Sequence, residues 1–249
     1  MPYADSQGIR IHYHVEGAGP PLVLQHGITS SIERWRDCGY VDALRSDYRL
    51  ILIDARGHGT SDKPHDPPAY DMKLMAGDVI AVLDDLNVDK AHYWGYSMGG
   101  IIAFRLAEYA PRRFPSLIIG GMHPYALHPE PYRELFKKGN EAVISAWEAE
   151  GLPMTQETRA RLLANDAQAL YAIVANDLPD RSHVLPTMSM PCLVYCGDAD
   201  ELYPGAQECA KHMPTSATFV SLPGLNHMEA LVRSDLVLPH ATEFLSRIK

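Results

Sequence analysis

Ala91-His92-Tyr93-Trp94-Gly95-Tyr96-Ser97-Met98-Gly99-Gly100 runs directly into Ile101-Ile102-Ala103-Phe104-Arg105-Leu106-Ala107. The order is a short apolar strand, a turn too tight for large neighbours, and a helix. Gly95-x-Ser97-x-Gly99 puts a serine at the apex of that turn, as a nucleophile elbow does. A serine thrust out between strand and helix occupies an unfavourable backbone region that only the surrounding structure can enforce. Glycines two residues before and two after remove the β-carbons that would collide there. The helix that follows points its free amides and positive end toward the serine, where a negative oxygen can be held.

Outward from this stretch, the chain alternates apolar strands with helical spacing. Gly8 to Val15 alternates apolar and polar residues, which predicts an antiparallel strand with His12 and His14 on one exposed face. Pro21 to Gln25 and Leu50 to Asp54 are apolar runs, each followed by a turn-rich loop, and a helix is expected from Trp35 to Leu44. Met72, Met75, Val79, Val82, Leu83 and Leu86 recur at helical spacing within Tyr70 to Leu86. Further strands are expected at Ser116 to Ile119, Pro191 to Cys196 and Thr218 to Leu222, with helices near Gly205 to His212 and at the end of the chain. Strands that are apolar throughout and separated by helices predict an α/β fold, a mostly parallel sheet covered on both faces.

The rhythm breaks between residues 122 and 190. Helix-like pieces are punctuated there by proline at 124, 129, 131, 153, 179 and 186, and Asp166 reads as the N-cap of a helix from Ala167 to Asn176. Such a stretch is too long for a connection and too irregular for a second core, so residues 122–190 are expected to form a helical cap inserted into a core made of 1–121 and 191–249.

At 249 residues, 46% hydrophobic and 21% charged, the chain can bury a large single core. A net charge of −9 without a basic stripe argues against nucleic acid as a partner. No apolar stretch approaches the roughly 20 residues that span a bilayer. The start carries no basic segment followed by an apolar run, and four cysteines are too few for a disulfide scaffold. A cytoplasmic protein without a membrane partner is expected. Cys192 and Cys196, four apart in one strand, read as buried small apolar residues and not as metal ligands.

In a parallel sheet, ligands bind where the strand carboxyl ends gather. A serine hydroxyl needs a base to take its proton, and a histidine base needs an acceptor on its other nitrogen. Ser97, then Asp198 or Asp200, then His227 follow in the required chain order. With these residues in view, the chain resembles the α/β-hydrolase superfamily, in its small serine esterase-like branch. The motifs are His26-Gly27, Asp54-x-Arg56-Gly57-x-Gly59-x-Ser61, Gly95-Tyr96-Ser97-Met98-Gly99-Gly100, Gly197-x-x-Asp200-x-x-x-Pro204 and Gly224-x-x-His227.

The resemblance implies an α/β-hydrolase fold with a Ser97-His227-Asp200 triad under the cap, no cofactor and no metal. It selects Asp200 over Asp198 by position after the glycine that ends the strand. It places the oxyanion hole at the backbone amides of Ile28 and Met98, with His26 shaping that loop. Asp54 and Arg56 are then architectural, His58 a structural hydrogen-bonder, His92 a core histidine, and Trp35 a residue of the core or of the acyl pocket. His123 and His128 could reach the pocket from the cap. The expected substrate is a small-molecule carboxylic ester of small or medium acyl size. Lactones, thioesters and carbon–carbon bond hydrolysis remain open within the fold, as does a ligand-binding signalling protein that retains the triad.

Overall fold

The computed structural model describes residues 2–149, 154–214 and 217–248; Met1 and Pro153 lie outside the described residues. Eight strands form one sheet: Tyr3–Ser6 (β1), Ile9–Glu16 (β2), Pro21–Gln25 (β3), Arg49–Ile53 (β4), His92–Tyr96 (β5), Leu117–Gly120 (β6), Cys192–Gly197 (β7) and Ala217–Leu222 (β8). Their order across the sheet is β1-β2-β4-β3-β5-β6-β7-β8. The first two pairings are antiparallel and the rest parallel. Alternate residues of the inner strands serve two separate cores. Val23, Ile51, Tyr93, Ile119 and Val194 pack on one face, while Leu24, Leu52, Trp94, Ile118 and Leu193 pack on the other. Burial on both faces is what makes these runs apolar without alternation.

Eleven α-helices lie among the described residues: Ile32–Asp37 (α1), Tyr40–Leu44 (α2), Met72–Asp85 (α3), Met98–Tyr109 (α4), Glu130–Phe136 (α5), Asn140–Ala149 (α6), Gln156–Leu163 (α7), Ala167–Val174 (α8), Tyr203–His212 (α9), His227–Val232 (α10) and Ser234–Ser246 (α11). The single helix expected over Trp35–Leu44 is two, because Gly39 takes φ 79° between them. The start expected at Tyr70 gives way to a 3₁₀ turn over Pro67–Tyr70, after which Asp71 caps α3 by accepting from the Lys73 amide at 2.8 Å. Trp35 belongs to the core: its ring meets Tyr40 and Trp94 edge-on at 5.0 and 5.8 Å. His12 corrects a second expectation. His14 is exposed but His12 is buried, because the loop after β4 folds over it and its Nδ1 meets Asp54 Oδ2 at 2.8 Å.

The sheet reverses its direction of winding at β3. The chain steps outward to β4 on one side and then returns to place β5 on the other, so a crevice opens beyond the carboxyl ends of β3 and β5. Gln25 and Gly95 are register partners in those strands, which brings the segment after Gln25 beside the elbow. At the elbow Ser97 has φ 53° and ψ −115°. A β-carbon on Gly95 would collide with the Gly99 carbonyl, and one on Gly99 with the Gln25 carbonyl. The turn is therefore closed to side chains at both positions.

Between β6 and β7 the chain forms α5 to α8, and the only pairing of its extended parts among the described residues is an isolated bridge between Leu127 and Leu178. Asp166 does cap α8, accepting from the amides of Gln168 and Ala169 at 3.0 Å each. This insert touches three of the loops that leave the carboxyl edge. Asn165 Nδ2 donates to Thr29 O at 3.0 Å, Asn176 Nδ2 to Pro67 O at 2.8 Å, and Tyr132 OH to Glu201 Oε1 at 3.0 Å. Among the described residues no helix is long and apolar enough to cross a membrane.

Gly95→Ala should destabilise the protein by about 3 kcal/mol or more in urea unfolding, since backbone must move to admit the methyl group. Gly77→Ala, in α3 with nothing within 4 Å of the new atom, should stabilise by about 1 kcal/mol through helix propensity. Equal effects at the two positions would contradict the packing described.

Candidate active site

Three loops from the carboxyl edge bring Ser97, His227 and Asp200 together. Ser97 Oγ lies 3.0 Å from His227 Nε2, and His227 Nδ1 lies 2.7 Å from Asp200 Oδ2. With Nδ1–H donating to the carboxylate, Nε2 is left as an acceptor for the serine proton, the arrangement a base requires. The Asp200 side chain is fully buried and the imidazole is partly open, with 30% of its side chain exposed. Burial pushes the Asp200 carboxyl up. The His227 hydrogen bond and charge, the Leu202 amide and the Cys196 thiol together outweigh burial and hold it below its ordinary value.

The local sequence fixes each member. His227 is the first residue of α10, and Asn226 with Glu229 forms a capping box around it. Tyr96 OH donates to the His227 carbonyl, and the two rings lie 5.3 Å apart. Asp200 Oδ1 accepts from the Leu202 amide at 2.9 Å, while Oδ2 also takes the Cys196 thiol at 3.4 Å. Burial pushes that thiol well up, so it remains a donor. Asp198 faces elsewhere: its Oδ1 accepts from the Gly224 amide at 2.6 Å and so ties down the loop that carries the histidine.

The segment His26-Gly27-Ile28 passes directly over the elbow, where a β-carbon on Gly27 would sit 3.1 Å from Ser97 Cβ. The Ile28 and Met98 amides have no acceptor among the described residues, so both are free to donate to a ligand. Thr29, next in line, holds the positive φ of 65° that a β-branched residue rarely adopts. Two distant side chains pin it there. Its N–H donates to His58 Nε2 at 3.1 Å and its carbonyl accepts from Asn165. His26 reads the same way, with Nδ1 against the Gly27 carbonyl at 2.7 Å and Nε2 accepting from the Ala55 amide at 3.1 Å. Both rings must be neutral to accept on Nε2. Burial lowers the His26 pKa, and burial with the neighbouring His26 lowers that of His58 to about 3.

Other polar residues named from the sequence have partners that occupy them. Asp54 accepts from His12 and from the amides of Ile32 and Thr60. Arg56 forms a buried ion pair with Asp78. His92 meets Ser116 Oγ at 2.7 Å in the core. His128 is exposed beside Asp177, 3.7 Å away, and His123 packs against Gly205, with no hydrogen bond to the serine or the imidazole among the described residues. Sequence reasoning missed Tyr96, Cys196, Asn165 and the capping box; of these only Asn226-x-x-Glu229 carries a local signal.

A family model described as the alpha/beta hydrolase fold matches residues 20–146. A Bacillus subtilis protein provisionally named a 2-succinyl-6-hydroxy-2,4-cyclohexadiene-1-carboxylate synthase is 28% identical over 98% of this chain and 97% of its own length. RutD of Azorhizobium caulinodans, provisionally named a carbamate hydrolase, is 30% identical over 82% of both chains. The crystal structure of the enol-lactonase from Burkholderia xenovorans LB400 superposes with a TM-score of 0.84 at 25% identity, covering 98% of this chain and 100% of that one.

Two outcomes follow from these contacts. Asp200→Asn should lower kcat by roughly 10⁴ by leaving the imidazole in the wrong tautomer, while Asp198→Asn should change kcat by less than about tenfold and act on stability. The reverse ranking in steady-state kinetics would reassign the acid. Because the folded protein keeps His58 neutral far below the roughly 6.5 of an unfolded histidine, its contribution to stability is complete above that pH and is lost as pH falls toward about 3. Asp54, lowered to about 2, loses its contribution only in more acidic solution. Between roughly pH 6 and pH 4, unfolding free energy should therefore fall more steeply in the native protein than in His58→Gln, by up to about 1.4 kcal/mol per pH unit. Parallel curves in urea titrations would show that His58 is not held neutral.

Proposed function

The chain belongs to the α/β-hydrolase family, and within it we propose a serine hydrolase that cleaves carboxylic esters of small or medium acyl groups. The reading rests on one observation: the continuous relay from Ser97 Oγ through the His227 imidazole to buried Asp200, at 3.0 and 2.7 Å. Ser97 Oγ attacks the carbonyl carbon while His227 Nε2 takes its proton. The carbonyl oxygen becomes an oxyanion held by the Ile28 and Met98 amides, each such donor being worth about 10²–10³ in rate. The bond to the leaving oxygen breaks as His227 returns the proton to it, leaving an acyl-serine. Water, deprotonated by the same nitrogen, attacks the acyl carbon, and the C–O bond to Ser97 breaks to release the acid and restore the hydroxyl.

A lactone is an ester closed on itself and follows the same steps, as does a thioester. A provisionally named carbamate hydrolase and an enol-lactonase are among the similar proteins, and carbamates and lactones, like esters, are acyl compounds. The insert supports the modest substrate size. Arg159 and Arg161 of α7 are engaged with Glu141, Glu148, Asp37 and Glu157, which makes that element polar and not an apolar wall for a long chain. The residues 122–190 act in this reading as a cap over the crevice. Four free cysteines accord with a cytoplasmic location.

With a short-chain nitrophenyl ester the protein should release nitrophenolate with turnover, and Ser97→Ala should lose at least about 10⁴ of that rate. Turnover that survives the substitution would refute the serine as nucleophile. Tight binding of the ester without release would instead identify a ligand-binding protein.

A further inference from the structure

Thr29 follows directly on Ile28, whose amide the oxyanion hole requires, and it holds φ 65°. For a β-branched residue that conformation is an outlier that only outside contacts can maintain. The chain on either side gives it little room. His26 is held upstream by the Ala55 amide at 3.1 Å, and the Ile32 amide downstream by Asp54 Oδ1 at 3.0 Å. If Thr29 relaxed to negative φ, the residues between these anchors would have to absorb the rotation, and Ile28 is one of them. The direction of the Ile28 amide is therefore set by whatever keeps Thr29 strained.

One of the two contacts that do so comes from the insert. Asn165 Nδ2 donates to the Thr29 carbonyl at 3.0 Å. The same nitrogen lies 3.3 and 3.4 Å from the Leu162 and Arg161 carbonyls at the end of α7. Three carbonyl oxygens around one atom require the NH2 end of the amide there, since the oxygen end could bond none of them. The Asn165 carbonyl in turn takes Asn140 Nδ2, at the start of α6, at 2.7 Å. Asn165 is thus clamped from both sides, and the corner between α7 and α8 that carries it is fixed to the core. Asp166 Oδ2 meets His65 Nε2 at 3.0 Å, Asn176 donates to Pro67 O at 2.8 Å, and a β-carbon on Gly57 would sit 3.2 Å from Ile173 Cδ1. All three contacts fall on the segment between β4 and α3, which also supplies His58, the other pin on Thr29.

We propose, on the serine-hydrolase reading of the site, that Asn165 is a positioning residue: it acts through Thr29 to aim the Ile28 amide at the oxyanion. Asn165 has no hydrogen bond to Ser97, His227 or Asp200 among the described residues, and its effect passes through the Thr29 backbone. The insert then contributes to the rate itself and not only to what the crevice admits. An oxyanion exists in the transition state and not in the bound ester, so loss of the contact falls on kcat and leaves KM in place.

The test compares the native protein and Asn165→Ala, each also carrying Thr29→Gly, in steady-state hydrolysis of a short-chain nitrophenyl ester. Native turnover is first shown to need Ser97; if there is none, the hydrolase reading fails and this inference with it. Given that turnover, Asn165→Ala should lower kcat about tenfold, the rate equivalent of one ordinary hydrogen bond, with KM within about twofold. Glycine enters positive φ without a β-carbon penalty, so in the Thr29→Gly background the same substitution should cost less than about threefold. A raised KM at unchanged kcat, as expected if Asn165 only docks the insert, would overturn the inference alone. So would an equal loss of kcat in both backgrounds. In crystals of the native protein carrying a phosphonate adduct on Ser97, the phosphoryl oxygen should accept from the Ile28 amide with Asn165 still on the Thr29 carbonyl. An adduct in which Thr29 has taken negative φ would overturn the proposal without recourse to any variant.

Discussion

Ser97 is held at φ 53° and ψ −115°, a conformation that a residue with a β-carbon avoids. Such strain costs on the order of 1–3 kcal/mol and persists only where neighbours leave no alternative. Here the neighbours are backbone. The Ser97 amide donates to the Gly120 carbonyl at 2.9 Å, and its own carbonyl takes the amides of Gly100 and Ile101 as α4 begins. Gly95, Gly99 and Gly27 let three segments close on the turn without a side chain between them. The half-buried hydroxyl facing the imidazole, the free Met98 amide and the closeness of Ile28 all follow from that one turn. Relaxing it would withdraw the hydroxyl from the imidazole and the amide from the crevice together.

Two aspartate–histidine pairs with a buried carboxylate lie among the described residues, and their difference is instructive. His12 and Asp54 meet at 2.8 Å, much as His227 and Asp200 meet at 2.7 Å. Asp54 is surrounded by donors from three segments and brackets the loop after β4; no hydroxyl is hydrogen-bonded to His12 Nε2 among the described residues. Asp200 gives one oxygen to the imidazole and the Cys196 thiol, and the other to a single amide. The chemistry comes from what lies beyond the histidine. Only His227 has a serine on its far nitrogen and an opening to solvent.

The elbow and the order of the loops were legible because glycine spacing and apolar runs are local signals. His12 was not. Alternation along β2 reports the pleat, but what covers the face is the loop around Ser61, whose hydroxyl accepts from the His12 amide at 2.8 Å. The break at Gly39 was hidden because apolar spacing runs on through it, from Trp35 to Tyr40 and Leu44. Thr29 lies furthest from sequence reasoning. Nothing in its side chain announces a positive φ, and the groups that hold it, His58 and Asn165, come from the loop after β4 and from the insert. Contacts across 29 and 136 residues carry no periodicity for a sequence pattern to detect.

The proposed activity depends on an activated hydroxyl at residue 97, and covalent labelling measures that state without knowledge of the substrate. A fluorophosphonate probe reacts with serines whose proton is taken by a base and whose developing charge is held by nearby amides. Peptide mass spectrometry of the treated protein should find one adduct, on Ser97, and the labelling rate should collapse in His227→Gln. Labelling at another residue, or a Ser97 adduct that forms equally fast without the imidazole, would contradict the account.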